Sequence, residues 1–110
     1  MKNSLLETIN SARVVAELYR SNYVEDQLIE EMAELTQAII KFRRATGNGC
    51  HTPTLPEDAM EDLMEEMSDV IVCLSQVSWF FTDVQRKTII MIAQDKINRQ
   101  LERYYSDGEN

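Results

Sequence analysis

The chain has 110 residues, of which 44% are hydrophobic and 27% charged, and its 19 acidic and 11 basic side chains give a net charge of −8. This composition is typical of one globular domain and excludes a disordered chain. The acidic balance argues against nucleic-acid binding, which needs a basic face. No apolar run is long enough to cross a membrane, and the N-terminus lacks the apolar core of a secretion signal. We therefore expect a single cytoplasmic domain over residues 1–110.

Two helices are predicted in the first half of the chain. The first begins after Ser4, because Ser4 and Glu7 have the spacing of a capping box. The second begins after Asn22, a residue that caps helices well, and covers residues 23–45. It ends near Gly47, because glycine commonly follows the last turn of a helix.

Two further helices follow a loop at residues 47–55. Pro56 is well placed in the first turn of the third helix, which is predicted to continue to about Phe81. The segment Thr82–Gln85 is another capping box and starts the fourth helix. The polar residues 106–110 are expected to fray.

Four amphipathic helices with short connections predict an all-α four-helix bundle. The segment Val70–Leu74 of the third helix is apolar on almost every side, and such a helix needs more neighbours than one bundle provides. We therefore expect the chain to self-associate through this part of the bundle. The aromatic run Trp79–Phe81 is interpreted as a core or subunit contact rather than a base-stacking surface. The methionines are interpreted as packing residues.

Cysteine chemistry contributes little to the prediction. Cys50 and Cys73 are interpreted as reduced thiols of a cytoplasmic protein. His51 follows Cys50, but the sequence has no further cysteine or histidine that could complete a zinc site there. We expect no metal role for that pair.

An internal repeat contains the candidate chemistry. Residues 27–35 align with residues 62–70, and both copies read acid-acid-Met-small-acid-apolar. Each copy has two carboxylates that are three residues apart, namely Glu31, Glu34, Glu66 and Asp69. Because residues three apart share a helix face, these four carboxylates converge if the two helices pack side by side.

Four unpaired carboxylates at one place repel one another unless a cation lies between them. Oxygen ligands favour Mg²⁺ or Mn²⁺ over zinc, and a ferritin-like di-iron site is disfavoured because it needs a histidine on each of two helices. The alternative is that these acids belong to solvated helix faces, which are common. Glu34 and Asp69 adjoin apolar runs, which places them at the edge of the core and favours the metal site.

The two motifs resemble the signature of the MazG-like all-α nucleoside triphosphate pyrophosphohydrolases. That signature is Glu-Glu-x-x-Glu on one helix and Glu-x-x-Asp on the next, here Glu30-Glu31-Met32-Ala33-Glu34 and Glu66-Met67-Ser68-Asp69. The resemblance covers about residues 20–105 and includes Lys41 and the basic segment 95–103. The loop at 47–53 is longer than in the most compact members, so any substrate-contacting loop is unassigned.

The resemblance implies hydrolysis of a nucleoside triphosphate to the monophosphate and pyrophosphate, which clears unwanted nucleotides. It also implies that the chain forms a homodimer or homotetramer. By this match the ligands of Mg²⁺, or of Mn²⁺, are Glu31, Glu34, Glu66 and Asp69. Glu30 and Glu65 are the candidates either for orienting the attacking water or for serving a second ion. The candidates for holding the polyphosphate are Lys41, Lys96 and Arg99. The alternative is a catalytically silent protein that binds nucleotide or docks through its helices.

Overall fold

The computed structural model describes residues 4–47 and 52–108, and over these ranges the chain is helical with no strand. The four helices are α1 (Leu5–Leu18), α2 (Ser21–Ala45), α3 (Pro56–Ser78) and α4 (Asp83–Gly108). This confirms the predicted all-α class. None of the four, over the residues described, is long and apolar enough to cross a lipid bilayer. Cys50 and His51 lie outside the described residues, so the expectation for that pair stays a prediction.

The capping predictions for α1 and α4 are confirmed. Ser4 Oγ accepts a hydrogen bond from the Glu7 backbone N–H at 3.1 Å. At the start of α4, the Gln85 backbone N–H donates to Thr82 Oγ1 at 3.1 Å. The Thr82 backbone N–H in turn donates to Gln85 Oε1 at 2.9 Å. These bonds satisfy donors that the first turn of a helix otherwise leaves without partners.

The predicted start of α2 is wrong. The helix begins at Ser21, with Arg20 rather than Asn22 at the N-cap. The first turn is closed by a 3.3 Å hydrogen bond from the Val24 N–H to the Arg20 carbonyl. Asn22 Oδ1 instead accepts from the adjacent Tyr23 N–H at 3.0 Å. Val24 is almost completely buried, and its burial favours the earlier start because it orders the first turn.

The predicted ends of α3 and α4 are also wrong. α3 ends at Ser78, because the Trp79 and Phe80 N–H groups bond to carbonyls three residues earlier and close a tight turn. α4 continues through Gly108, so the predicted frayed tail is helical over residues 106–108. The exposed polar side chains of Ser106 and Asp107 are compatible with a solvent-exposed last turn of α4.

The chain divides into two compact units, Met1–Phe80 and Phe81–Asn110. In the first unit, α3 packs against both α2 and α1. The second unit contains α4. The single domain expected over residues 1–110 stays a prediction.

The buried apolar side chains in the described residues are all small. They are Ala12, Ala16, Val24, Ala38, Ala59, Val70 and Cys73. Among the side chains described, no Leu, Ile, Met or aromatic residue reaches the same degree of burial. Met32, Met60, Met64, Met67 and Met91 are exposed. The interpretation of these methionines as packing residues is therefore wrong for the single chain.

Trp79 joins the end of α3 to α1. Its indole Nε1–H donates to the Ile9 carbonyl at 3.1 Å, and the Arg13 guanidinium lies 5.2 Å from the centroid of its ring. The next two residues, Phe80 and Phe81, are exposed. Of the aromatic run, partly buried Trp79 therefore contacts α1, and the expected core or subunit contact of Phe80 and Phe81 stays a prediction.

We expect Trp79→Phe to lower the free energy of unfolding by about 1 kcal/mol, because it removes the indole donor and leaves the Ile9 carbonyl without that partner. Chemical denaturation followed by circular dichroism measures this change. Phe80→Leu, at the exposed neighbouring position, is the control and should change the same quantity by less than about 0.5 kcal/mol. Equal effects of the two substitutions would contradict this role of Trp79.

Candidate metal centre

Three carboxylates from two neighbouring helices meet where α2 packs against α3. Glu31 and Glu34 lie one turn apart on α2, and Glu66 lies on α3. One oxygen from each carboxylate lies within 4.8 Å of the other two. We call these three residues the carboxylate cluster. The convergence follows from the i, i+3 spacing on α2 and from the side-by-side packing of the two helices.

Asp69 lies at the edge of this cluster. It does not belong to the group of oxygens that meet within 4.8 Å. Its negative charge nevertheless contributes to raising the pKa of both Glu31 and Glu66. The structure thus brings three of the four predicted ligands together and leaves the fourth within electrostatic reach of two of them.

Two oxygens of the cluster are buried and have no hydrogen-bond partner in the part of the chain that the structure describes. Glu31 Oε2 and Glu66 Oε2 accept from no donor in residues 4–47 and 52–108. A buried polar atom without a partner costs free energy, and the cost is greater for a charged group. A cation between these oxygens would give both a partner. The residues present therefore fit a divalent cation that prefers oxygen ligands, such as Mg²⁺ or Mn²⁺.

The pKa values of Glu31 and Glu66 are raised, by burial and because several negative charges lie close together in the cluster. Burial raises the pKa of Glu31 and Glu66 above the ordinary value of 4.5, and the charges of Glu34 and Asp69 raise it further. Protons and cations both relieve this repulsion. At neutral pH, where protons are scarce, the cluster is therefore suited to take up a cation.

Cys73 is a buried free thiol near these carboxylates. Burial raises its pKa, and the charges of Glu31 and Asp69 raise it further. The thiolate is the form that binds metals and attacks electrophiles. Cys73 therefore stays a neutral packing residue, and the oxygen character of the cluster is preserved.

The raised pKa values predict how the stability of the metal-free protein depends on pH. The folded state holds protons on Glu31 and Glu66 more tightly than the unfolded chain does. Below pH 4.5, the pKa of these groups in the unfolded chain, their protonation contributes fully to the free energy of unfolding. This contribution is lost as the pH rises through their higher pKa values in the folded protein. Above that pH range, removing one of these carboxyls should therefore stabilise the metal-free protein.

We expect Glu66→Gln in EDTA to unfold at a higher temperature than the wild type near neutral pH, and this difference to disappear toward acid pH. Thermal melts over a pH series measure it. Glu61→Gln, an exposed change on the same helix, is the matched control and should show a smaller dependence on pH. A Glu66→Gln protein that is less stable than the wild type at neutral pH would contradict the assigned electrostatics.

An open groove of about 410 Å³ adjoins the carboxylate cluster. Its lining residues are Glu34, Gln37, Ala38, Lys41, Asp62 and Glu66. Lys41 Nζ lies 3.1 Å from Asp62 Oδ2, and both side chains are about half exposed. The groove therefore places an accessible cationic group near two members of the cluster, which is the combination that an anionic ligand held through a metal needs.

Reasoning from the sequence missed Asp62 and Gln37 as groove residues. Asp62 precedes Glu66 by four residues, so the helical spacing that connected the other acids would have placed it on the same face. Gln37 follows Glu34 by three residues and carries the same signal.

The other predicted site residues lie elsewhere. Glu30 and Glu65 are exposed and adjoin Glu31 and Glu66 in the sequence. Lys96 and Arg99 belong to α4, where they help to line a separate pocket of about 550 Å³. Their role as polyphosphate contacts stays a prediction.

Comparisons of the chain with protein-family models, with curated proteins and with solved structures found no match.

Proposed function

We propose that this chain is a cytoplasmic, Mg²⁺-dependent nucleoside triphosphate pyrophosphohydrolase of the MazG-like kind that acts as a homodimer or homotetramer. The observation that carries the proposal is the convergence of Glu31, Glu34 and Glu66 within 4.8 Å. Two of their oxygens are buried with no hydrogen-bond partner among the described residues, which supports a bound cation. The motif resemblance supports the choice of a nucleoside triphosphate as the substrate.

The carboxylate cluster would hold Mg²⁺ through oxygens from both helices, and Mn²⁺ is the closest substitute. Asp69, at the edge of the cluster, would complete the ligand set predicted from the sequence. The bound ion would supply positive charge that neutralises phosphate oxygens and orients them for displacement.

The exposed carboxylates beside the cluster have a separate role. Glu30 or Glu65 would orient a water molecule and accept its proton as the water oxygen bonds to the α-phosphorus. The bond from the α-phosphorus to the bridging oxygen then breaks, and pyrophosphate leaves with the electron pair of that bond. The products are a nucleoside monophosphate and pyrophosphate.

Lys41 would hold the polyphosphate in the groove. Its ammonium group lies beside Asp62, in a groove that Glu34 and Glu66 also line. A phosphate oxygen can take the place of the Asp62 carboxylate as its partner, because both are anionic acceptors. On α4, Lys96 and Arg99 remain candidates for the same task by their spacing of three residues.

The proposal is tested with purified protein and a panel of canonical and modified nucleoside triphosphates, in Mg²⁺ and in EDTA. The expected result is equal release of monophosphate and pyrophosphate from at least one substrate in Mg²⁺, and none in EDTA. Release of a diphosphate and inorganic phosphate, or turnover that EDTA leaves unchanged, would contradict it. No turnover from any substrate, with nucleotide binding retained, would favour a catalytically silent binding protein.

A further inference from the structure

The groove beside the carboxylate cluster has two chemically different ends. α2 contributes Glu34 and Lys41 to its lining, and α3 contributes Glu66 and Asp62. Glu34 and Glu66 belong to the carboxylate cluster. Lys41 lies seven residues beyond Glu34, which is about 10 Å along the helix. We call the end with Glu34 and Glu66 the cluster end, and the end with Lys41 and Asp62 the lysine end.

At the lysine end, the ammonium group of Lys41 already has an anionic partner. Lys41 Nζ lies 3.1 Å from Asp62 Oδ2, and the contact joins residues that are 21 positions apart in the chain. Both side chains are 47% exposed, so water and dissolved anions reach the pair. An ion pair with this exposure contributes little to the stability of a fold. Its position in the groove therefore favours a role in binding.

A polyphosphate that binds Lys41 has to compete with Asp62. Phosphate and carboxylate oxygens accept the same kind of charge-assisted hydrogen bond from an ammonium group. The incoming phosphate therefore displaces the Asp62 carboxylate and leaves it close to the bound phosphates. Repulsion between these like charges is then added to the loss of the ion pair. Both effects lower the affinity of the groove for a polyphosphate.

The two ends also indicate which product Lys41 holds. This step rests on the proposed function, in which the α-phosphorus lies at the cluster end. The β- and γ-phosphates then extend toward Lys41, the cation among the described residues that line the groove. Pyrophosphate is therefore the product at the lysine end, whereas the nucleoside monophosphate stays at the cluster end.

We propose that Asp62 is an internal competitor for Lys41, which limits the affinity of the groove for pyrophosphate and so promotes the release of this product. When pyrophosphate leaves, the Asp62 carboxylate binds the ammonium group again and opposes rebinding. Binding that is equally strong in the substrate and transition-state complexes does not speed the chemical step, and slow product release limits many enzymes. Asp62 acts through Lys41 and does not need to touch the substrate.

The first test measures binding without hydrolysis. Isothermal titration calorimetry in Mg²⁺ gives the dissociation constants of pyrophosphate and tripolyphosphate. Asp62→Asn keeps the size of the side chain but removes its charge, so it should bind both anions about three- to fivefold more tightly than the wild type, as expected for the loss of one exposed ion pair. Asp58→Asn, at an exposed position of the same helix outside the groove, is the matched control and should bind as the wild type does.

The same substitution in a Lys41→Gln background separates competition from general repulsion. Asp62→Asn should lose most of its effect there, because no ammonium group is left to compete for. Equal tightening with and without Lys41 would overturn the proposal, since Asp62 would then act only by repelling anions. Binding by Asp62→Asn that is weaker than or equal to that of the wild type would also overturn it.

The failure of the proposed function gives a different result. A wild type that binds neither polyphosphate would overturn both the role of Asp62 and the assignment of the groove to polyphosphate. Tighter binding by Asp62→Asn in a protein that hydrolyses no nucleotide would support the competition and contradict the proposed function alone.

A second test measures product inhibition during turnover. In Asp62→Asn the inhibition constant of pyrophosphate should fall about three- to fivefold. The inhibition constant of the nucleoside monophosphate should not change, because this product does not reach Lys41. Helix content by circular dichroism should stay the same, since Asp62 is about half exposed. An equal fall for both products, or an unchanged value for pyrophosphate, would overturn the proposal.

Discussion

Replacement of Glu66 by Gln is expected to lower kcat/KM for nucleoside triphosphate hydrolysis by more than about 100-fold in saturating Mg²⁺. Gln keeps the shape of the side chain but removes the charge of the α3 carboxylate that meets Glu31 and Glu34. Changes in groups that only support a metal ligand cost about 10–100-fold, so loss of a ligand should cost more. Pyrophosphate release under initial-rate conditions measures the effect.

The matched control is Glu61→Gln, which removes one acid from an exposed position on the same helix. It should leave kcat/KM within a few-fold of the wild type, because Glu61 lies outside the carboxylate cluster. Helix content by circular dichroism confirms that both variants fold. Near-wild-type turnover by Glu66→Gln would exclude the carboxylate cluster as the catalytic metal site.

Replacement of Lys41 by Gln is expected to raise KM for the nucleotide by about tenfold and to change kcat less. A hydrogen bond to a charged partner contributes about 1.5–3 kcal/mol, and partial exposure to water places Lys41 at the lower end of that range. An interaction present equally in the substrate and transition-state complexes acts mainly on KM. Steady-state kinetics with a substrate identified from the panel give both constants.

Lys87→Gln on α4 is the control for the loss of one positive charge, because Lys87 is exposed and lies outside the groove. It should change KM by less than Lys41→Gln does. Equal changes in KM would mean that Lys41 acts only through the overall charge of the protein. An unchanged KM for Lys41→Gln would remove Lys41 from the substrate site.

The parts of the fold that depend on neighbouring residues were predictable. Ser4 and Thr82 start their helices as expected, because a capping box is closed by groups only three residues apart. The end of α3 was not predictable, because Trp79 leaves the helix at a turn and bonds to Ile9, a residue distant in sequence. The apolar residues that follow Ser78 favoured a longer helix. The helix instead ends at Ser78, where Trp79 makes its contact with Ile9.

For the candidate site, the residues that share a helix face were predictable, but the packing of α3 against α2 was not. Helical spacing places Glu31 and Glu34 on one face, and the repeat places Glu66 at the matching position of the next helix. The rotation of α3 about its own axis decides which of Glu66 and Asp69 lies closer to α2, and spacing alone does not fix that rotation. The pair of Lys41 with Asp62 depends on the same packing.

The most direct test of the central claim is a titration of Mn²⁺ into the metal-free protein, followed by loss of the free-ion signal in electron paramagnetic resonance. The wild type should bind Mn²⁺, and Glu31→Gln/Glu66→Gln should lose that binding. The charge-matched control is Glu57→Gln/Glu61→Gln, which also removes two acids, here from outside the cluster, and it should bind as the wild type does. Equal binding by the two double variants would contradict the account, because the affinity would then reflect net charge rather than the carboxylate cluster.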